Sequence, residues 1–157
     1  MRVRLLALGT RMPGWVDTGV QEYARRLAGD IRFDVEEIPL PKRSGQDTPT
    51  LIRQEADALR KRLGKHPGAR TVALEVTGRR MTTEKLAVEL GRLRDLGQDL
   101  SIIVGGPDGL CPELSASCDL QWSLSDLTLP HPLVRILLAE QVYRAWSILA
   151  GHPYHRG

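Results

Sequence analysis

The sequence predicts an α/β fold, in which helices cover both faces of an open and mostly parallel sheet. Short apolar runs that end at glycine or proline alternate with longer amphipathic stretches, and the connections between successive runs are long enough to hold a helix. The chain has 157 residues, of which 41% are hydrophobic, so we expect a single domain over residues 1–157 with an ample core. Sheets of this class bind ligands at the carboxyl ends of their strands.

The start of the chain predicts a strand, a helix and a second strand. The apolar run 3–8, closed by Gly9, has the length and flanks of a buried strand. Apolar residues then recur at helical spacing from Asp17, which we expect to be the N-cap, until Gly29. Residues 33–38 predict the second strand, which ends at a pair of prolines.

The middle of the chain continues the same alternation. A polar loop at 41–49 is followed by the second helix, 51–63, whose apolar face includes Glu55 at one position. Residues 71–76 predict the third strand, and a turn centred on a glycine follows it. The third helix is predicted to begin with a cap at Thr83 and to stop at a glycine fourteen residues later.

Two bends define the candidate pocket. The apolar strand 102–104 runs directly into Gly105-Gly106-Pro107-Asp108-Gly109, where the backbone is bare of side chains. The segment 123–129 ends at Pro130-His131-Pro132, where the backbone must change direction before a helix begins. If their strands are neighbours in the sheet, the two bends form one pocket, at the edge where the strand ends Gly9-Thr10 and Leu74-Glu75 are also expected.

The last helix, predicted over 133–149, is apolar around most of its circumference and leaves only a narrow polar stripe. A surface helix that packs on one side only does not need so many apolar residues. We therefore expect a second copy of the chain to cover it, which predicts a homodimer with this helix in the interface.

Several classes of protein are excluded or disfavoured by the sequence. No run of eighteen apolar residues is present and the N-terminus lacks a signal-peptide pattern, so we expect a cytoplasmic protein with no membrane partner. The two cysteines and four histidines show no spacing typical of a metal site, which predicts reduced thiols and no metal. The glycine-rich bend matches neither a P-loop nor a dinucleotide-binding fingerprint.

Charge gives a weaker indication of the partner. The formal net charge is +3, with basic residues concentrated in the first 100 residues and a nearly neutral pocket segment after them. The C-terminal tail suits contact with RNA, because Tyr154 can stack on a base and Arg156 can bind a phosphate.

Four segments, in fixed order and spacing, carry a family resemblance. They are Gly105-Gly106-x-x-Gly109-Leu110, Ser123-Leu124-Ser125-x-x-Thr128-x-Pro130-His131-x-Leu133-x-Arg135, Glu140-Gln141-x-Tyr143-Arg144-Ala145 and Tyr154-His155-Arg156. Together they closely resemble the ribosomal RNA large subunit methyltransferase H family, and the similarity extends over essentially the whole chain.

The resemblance implies an α/β-knot (SPOUT-type) methyltransferase with a C-terminal trefoil knot. It also implies S-adenosyl-L-methionine as cofactor, a homodimer that acts on the ribosome, and methylation at N3 of a pseudouridine in 23S rRNA. Carried over by motif, the residues expected to contact the cofactor are Leu74, Gly106, Ser125, Asp126, Leu127, Thr128, Leu129 and Pro130. We expect Asp126 to act through its backbone, since the family varies at that position.

The chemistry of the implied reaction indicates further candidates. The target nitrogen carries a proton that must leave, so His131 and His155 are candidate catalytic bases, and Arg135 and Arg144 are candidates to stabilise negative charge or hold a phosphate. His131 has an equally simple interpretation as a histidine that caps a helix beside two prolines. Two other functions stay open: a non-catalytic dimeric factor for ribosome binding or assembly, and a methyltransferase of the same fold that acts on tRNA.

Overall fold

The computed structural model describes residues 1–156. The strands are β1 (Arg2–Leu8), β2 (Arg32–Ile38), β3 (Arg70–Arg80), β4 (Leu100–Val104) and β5 (Leu120–Ser123). The α-helices are α1 (Gly14–Ala24), α2 (Thr48–Leu63), α3 (Thr83–Asp95), α4 (Pro112–Ser117) and α5 (His131–Ala150), and a 3-10 helix, Pro153–Arg156, follows α5. None of the helices in the described range has both the length and the apolar character to cross a membrane.

The five strands form one sheet in the order β2-β1-β4-β3-β5. Every neighbouring pair is parallel, which confirms the predicted sheet. The carboxyl ends of all the strands therefore meet at one edge of the sheet, and the loops that leave them are brought together there.

Helices cover both faces, as predicted. On one face, α1, α3 and α5 pack through residues such as Val20, Leu90 and Leu138. On the other face, α2 and α4 pack through Leu59 and Leu114, next to the two free and buried cysteines. Two apolar layers on a central parallel sheet account for the apolar runs Leu5–Leu8 of β1 and Ile102–Val104 of β4.

The first helix differs from its prediction. It begins at Gly14 after Pro13, so the expected N-cap at Asp17 is wrong, and Asp17 lies in the first turn, where its carboxylate faces the positive end of the helix dipole. The helix also ends at Ala24, five residues before Gly29. Pro13, with its fixed φ, turns the chain into the helix without a side-chain cap.

Other boundaries shift by less, and short elements were missed. The cap of α3 is Thr82, whose side chain accepts a hydrogen bond from the Lys85 amide, rather than Thr83, which is the first helical residue. Neither α4, of six residues, nor β5, of four, was predicted, because neither is long enough to establish a period.

The last helix is longer than predicted and has two kinds of surface. It extends from His131 to Ala150 and ends at Gly151, which adopts a left-handed conformation with φ 68°. Its buried side packs against α1 and α3. Leu133 and Leu137, one turn apart, remain 41% and 37% exposed, so part of the apolar circumference has no cover within the described chain.

Candidate functional site

A cleft that is partly open to solvent lies at the carboxyl ends of β4 and β5, beside residues 74–76 of β3. The residues that line it are mainly apolar: Leu74, Glu75, Val76, Val104, Ser123, Leu124, Ser125, Leu127, Leu129 and Val134. The strands that precede the two predicted bends are separated by β3 rather than adjacent. Residues 74–76 of β3 lie between them, and the cleft is lined by Val104, just before the first bend, and by Leu129 and Val134, on either side of the second.

β3 shapes this cleft by leaving the sheet and returning to it. Leu74 and Arg79 both pair with Trp122 of β5, so residues 75–78 bulge out of the ladder. A Cβ at Gly78 would lie 2.7 Å from the carbonyl carbon of Trp122, which leaves room there only for glycine. The strand predicted at 71–76 therefore continues beyond its expected turn, and the bulge forms one wall of the cleft.

The segment after β5 forms a second wall and is held by its own serines. The hydroxyl of Ser123 donates to the carbonyl oxygen of Ser125 (3.2 Å), and the amide of Leu127 donates to the Ser125 hydroxyl (2.9 Å). This compact turn leaves the side chain of Leu127 75% exposed above the cleft, beside the half-buried Leu129.

The polar members of the same segment point elsewhere. The carboxylate of Asp126 forms an exposed ion pair with Arg80 at 2.7 Å, which leaves only its backbone to face a ligand. Thr128 and Pro130 are exposed, and Pro130 is the N-cap of α5. The structure thus brings together Leu74, Ser125, Leu127 and Leu129 around the cleft, in agreement with the predicted grouping of those positions.

The glycine-rich bend is a tight turn behind Val104. The amide of Gly109 donates to the carbonyl oxygen of Gly106 at 3.0 Å, and Gly109 has φ 82°. A Cβ at Gly105 would lie 2.5 Å from the carbonyl carbon of Gly109. Gly106 packs against Glu55 of α2. This predicted cofactor residue is not among the residues that line the cleft.

His131 is the first residue of α5, belongs to the second bend and contacts the backbone of Gly105 in the first. Burial lowers the pKa of its imidazole, and the nearby Arg135 guanidinium lowers that pKa further, while the backbone of Gly105 acts in the opposite direction. Its Nε2 is buried without a hydrogen-bond partner in the described chain. The lowered pKa favours the uncharged imidazole at neutral pH.

Arg135, one turn later, is 3% exposed and holds two strand ends. Its Nη1 donates to the carboxylate of Glu37, which is next to the end of β2, and its Nη2 donates to the carbonyl oxygen of Gly9, just beyond β1, both at 2.9 Å. These bonds give Arg135 a positioning role in the fold. Direct contact with a reacting group stays a prediction.

The predicted RNA-contacting residues form a separate group. The Tyr154 hydroxyl donates to the Glu140 carboxylate, the Tyr154 ring lies 4.5 Å from that of Tyr143, and the Arg144 guanidinium lies 4.9 Å from the Tyr154 ring. His155 is half-buried with Nδ1 lacking a partner in the described residues, and Arg156 is exposed.

This tail does not reach the cleft of its own chain. Glu140, to which Tyr154 bonds, is nine residues after His131 on the same helix, or about 14 Å along its axis. The candidate site residues therefore form two groups, one at the start of α5 and one beside its second half.

Sequence reasoning missed three residues that shape the site. Trp122 receives the β3 bulge, Arg80 binds Asp126, and the Glu55 carboxylate packs on Gly106. Only Glu55 left a signal, as an acidic residue on the apolar face of a helix. Among residues 1–156, no three histidine, cysteine, aspartate or glutamate side chains are grouped so as to hold a metal ion.

Comparison with known proteins adds relatives and structural neighbours. Residues 1–155 match the family model described as predicted SPOUT methyltransferase. The chain is 62% identical to the ribosomal RNA large subunit methyltransferase H of Alcanivorax borkumensis over 99% of this chain and 100% of that one. It is 54% identical to the protein of the same name from Azotobacter vinelandii, with the same coverage.

Solved structures at low identity share the fold. A probable methylase family protein from Haemophilus influenzae superposes with a TM-score of 0.58 at 10% identity, over 97% of this chain and 69% of that one. The tRNA (m1G37) methyltransferase from Aquifex aeolicus superposes with a TM-score of 0.53 at 20% identity, over 92% of this chain and 70% of that one.

Proposed function

The chain belongs to the SPOUT methyltransferase family, and from this membership we propose that it methylates RNA of the large ribosomal subunit. The observation that carries the proposal is full-length identity of 62% and 54% to proteins named ribosomal RNA large subunit methyltransferase H. At this identity and coverage the cleft and the tail have counterparts in those relatives, so the same class of reaction is supported.

The finer assignment is N3 of a pseudouridine in 23S rRNA, with S-adenosyl-L-methionine as methyl donor. It is supported by the four motif segments, whose residues lie around the cleft and along α5. A protein that modifies ribosomes works where ribosomes are, which supports a cytoplasmic location.

The cleft has the chemistry that this cofactor needs. Leu127, Leu129 and Val104 offer apolar surface to an adenine ring, and the turn at Ser125 presents backbone groups that can bind ribose and base without charged side chains. Glu75 lines the same cleft and its carboxylate favours a cationic ligand. When bound, S-adenosyl-L-methionine supplies an electrophilic methyl group on its sulfonium.

The protein's own contribution is to position the reacting nitrogen and to handle its proton. Much of the acceleration of a methyl transfer comes from holding the two reactants in line. His131 begins α5 two residues after Leu129 of the cleft, and we propose it as the base that accepts the proton from N3. Arg135 keeps the start of α5 fixed to the ends of β1 and β2, and so holds His131 in place.

The active form that we propose is a homodimer. Leu133 and Leu137 on α5 and Trp15 on α1 are exposed apolar side chains on two helices that pack together. The tail is too far along α5 to cover the cleft of its own chain, and a second subunit can bring its tail to that cleft. Arg144, Tyr154, His155 and Arg156 would then contact the RNA next to the partner's cofactor.

The test is transfer of labelled methyl groups from S-adenosyl-L-methionine to particles from cells that lack this protein. Assembled ribosomes, separated subunits and bulk tRNA are offered in parallel. We expect label at a pseudouridine of the large-subunit rRNA. Label in tRNA alone would show that tRNA, rather than ribosomal RNA, is the substrate. Cofactor binding without any methyl transfer would favour a ribosome-binding factor.

A further inference from the structure

Glu55 is a buried acid with no evident structural need for its charge. It lies on α2 between the core residues Leu51 and Leu59 and is 3% exposed. Its Oε2 has no hydrogen-bond partner among the described residues. A buried and unpaired carboxyl group costs free energy that an apolar side chain at the same position would not.

The side chain of Glu55 is directed at the glycine-rich bend. A Cβ built on Gly106 would lie 3.0 Å from Oε1 and 3.1 Å from Oε2 of Glu55. The carboxyl group therefore occupies the space that any side chain at position 106 would need. It therefore bounds the loop 105–109 at Gly106.

The charged groups that face Glu55 come from the two loops packed on this part of α2. Arg43, from the loop between β2 and α2, donates to the carboxylate of Asp108 in the bend at 2.9 Å. Burial raises the pKa of Glu55, and Asp108 acts in the same direction while Arg43 opposes it. The bend is thus held by the partly exposed ion pair between Arg43 and Asp108 and by the buried carboxyl group of Glu55.

We propose that Glu55 is a positioning residue for cofactor binding. It contacts Gly106 from behind and fixes the conformation of the loop 105–109, which continues directly from the cleft residue Val104. The identity of the cofactor in this inference rests on the proposed function. Glu55 affects cofactor affinity through the loop and does not contact the cofactor directly.

The contact between these two positions can be tested by compensating substitutions. Gly106→Ala places a methyl group against the Glu55 carboxyl, and we expect it to weaken binding of S-adenosyl-L-homocysteine by about tenfold because overpacking displaces the loop. Glu55→Ala removes the rear contact and is expected to weaken binding by a similar factor. The double variant Gly106→Ala/Glu55→Ala is expected to bind at least about threefold more tightly than Gly106→Ala alone, since two substitutions in contact are not additive.

Two further variants separate positioning from stability. Glu55→Gln keeps the shape of the side chain, and we expect affinity within about twofold of the unmodified protein. Asp57→Ala removes an exposed carboxylate from the same helix and serves as the matched control. If Glu55→Ala does not fold, Glu55→Val replaces it, because valine fills the core and still leaves the space next to Gly106 open.

Calorimetric titration gives the affinities, and hydrogen exchange of the amides at 105–109 gives a readout that needs no cofactor. We expect faster exchange in the Glu55→Ala loop and normal exchange in Glu55→Gln. A double variant no better than Gly106→Ala, or loop exchange unchanged by Glu55→Ala, would overturn the proposal. If the unmodified protein binds no S-adenosyl-L-homocysteine, the proposed function fails, while the exchange data still decide whether Glu55 fixes the loop.

Discussion

The hydroxyl of Tyr154 donates a hydrogen bond of 3.0 Å to the carboxylate of Glu140. The same carboxylate oxygen accepts a second bond, of 2.8 Å, from Nε of Arg144, whose guanidinium lies over the Tyr154 ring. Glu140 thus ties the C-terminal tail to α5 through two residues that we expect to contact RNA. In this arrangement the tail is packed away from the cleft of its own chain, so the bond has to break if the tail moves.

Tyr154→Phe removes this bond and leaves the aromatic ring in place. We expect a loss of about 1–2 kcal/mol in the free energy of unfolding, since the acceptor is charged. The pKa of the Tyr154 hydroxyl is raised to about 12. Burial is the largest cause, and the hydrogen bond to Glu140 is the second. The contribution of the neutral phenol is therefore complete below about pH 10 and is lost as the pH rises toward 12.

The measurement for Tyr154 is urea unfolding at pH 8 and at a series of alkaline values. Tyr23→Phe is the control, because it removes a phenol hydroxyl that does not bind Glu140. Equal stability of Tyr154→Phe and the unmodified protein at pH 8 would contradict the assignment of this bond.

Arg135→Lys tests the guanidinium that joins three elements. Lysine keeps the charge but has a single nitrogen, which cannot reach both the Glu37 carboxylate and the Gly9 carbonyl. We expect a loss of about 1.5–3 kcal/mol, equivalent to one charged hydrogen bond. Urea unfolding measures this loss of stability. Glu37→Gln is the comparison variant, because it keeps the bond from Arg135 to Gly9. Equal losses of stability in the two variants would argue against the role of Gly9.

Much of the fold was predictable because its long elements have clear periods. The apolar runs of β1, β2 and β4 and the apolar face of α2 identified those elements to within a few residues. The continuation of β3 past its turn could not be predicted, because it depends on the close approach of Gly78 to the Trp122 backbone of a strand that is distant in sequence. Tertiary contact, rather than local preference, decides that boundary.

The candidate site was predictable in part. Glycine and proline mark bends wherever they occur, so the loops around 105–109 and 130–132 followed from the residues alone. The end of the predicted strand placed Leu74 at the binding edge of the sheet, and its role as a cofactor contact came from the family resemblance. The distance between His131 and the tail depends on the length of α5 and on the packing of Tyr154 against it, which no local pattern records.

His131 is expected to make stability depend on pH in the acidic range. Its pKa is lowered from 6.5 in the folded protein, mainly by burial, so below pH 6.5 the unfolded chain binds a proton that the folded chain resists. Stability is then complete above pH 6.5 and falls as the pH decreases through the folded-state pKa. Urea unfolding at several pH values between 5 and 8 should show a shallower decline for His131→Asn than for the unmodified protein; parallel curves would count against a buried neutral imidazole.

Gly78→Ala tests the wall formed by the β3 bulge. The added Cβ would lie 2.7 Å from the carbonyl carbon and 2.9 Å from the amide nitrogen of Trp122, and neither backbone atom can move without disturbing the ladder. We expect a loss of about 1–3 kcal/mol together with weaker binding of S-adenosyl-L-homocysteine. Gly14→Ala is the control, since nothing lies within 4 Å of its added Cβ. Full stability of Gly78→Ala would show that the strands separate there at no cost.

The homodimer prediction is tested by charging the exposed face of α5. Because Leu133 and Leu137 are partly exposed in the single chain, glutamate at both positions should change the stability of the fold by only about 0.5 kcal/mol per site. If the face is an interface, the buried charges should prevent association. Sedimentation at micromolar concentration should therefore show a dimer for the unmodified protein and a monomer for the double variant, while Val88→Glu, on exposed α3 surface, stays dimeric.

Mixing two inactive variants then tests whether the tail of one subunit serves the cleft of the other. Truncation after Gly151 removes the tail, and Leu127→Glu places a charge in the apolar part of the cleft. In a mixed dimer, one cleft is intact and is paired with the intact tail of the other subunit, so methyl transfer to ribosomes should recover to a substantial fraction of normal. If each tail serves its own cleft instead, no mixed dimer contains a complete site, because the intact cleft and the intact tail belong to different chains. Mixing would then leave the preparation inactive, and the 14 Å between His131 and Glu140 would have to be crossed by movement of the tail within one chain.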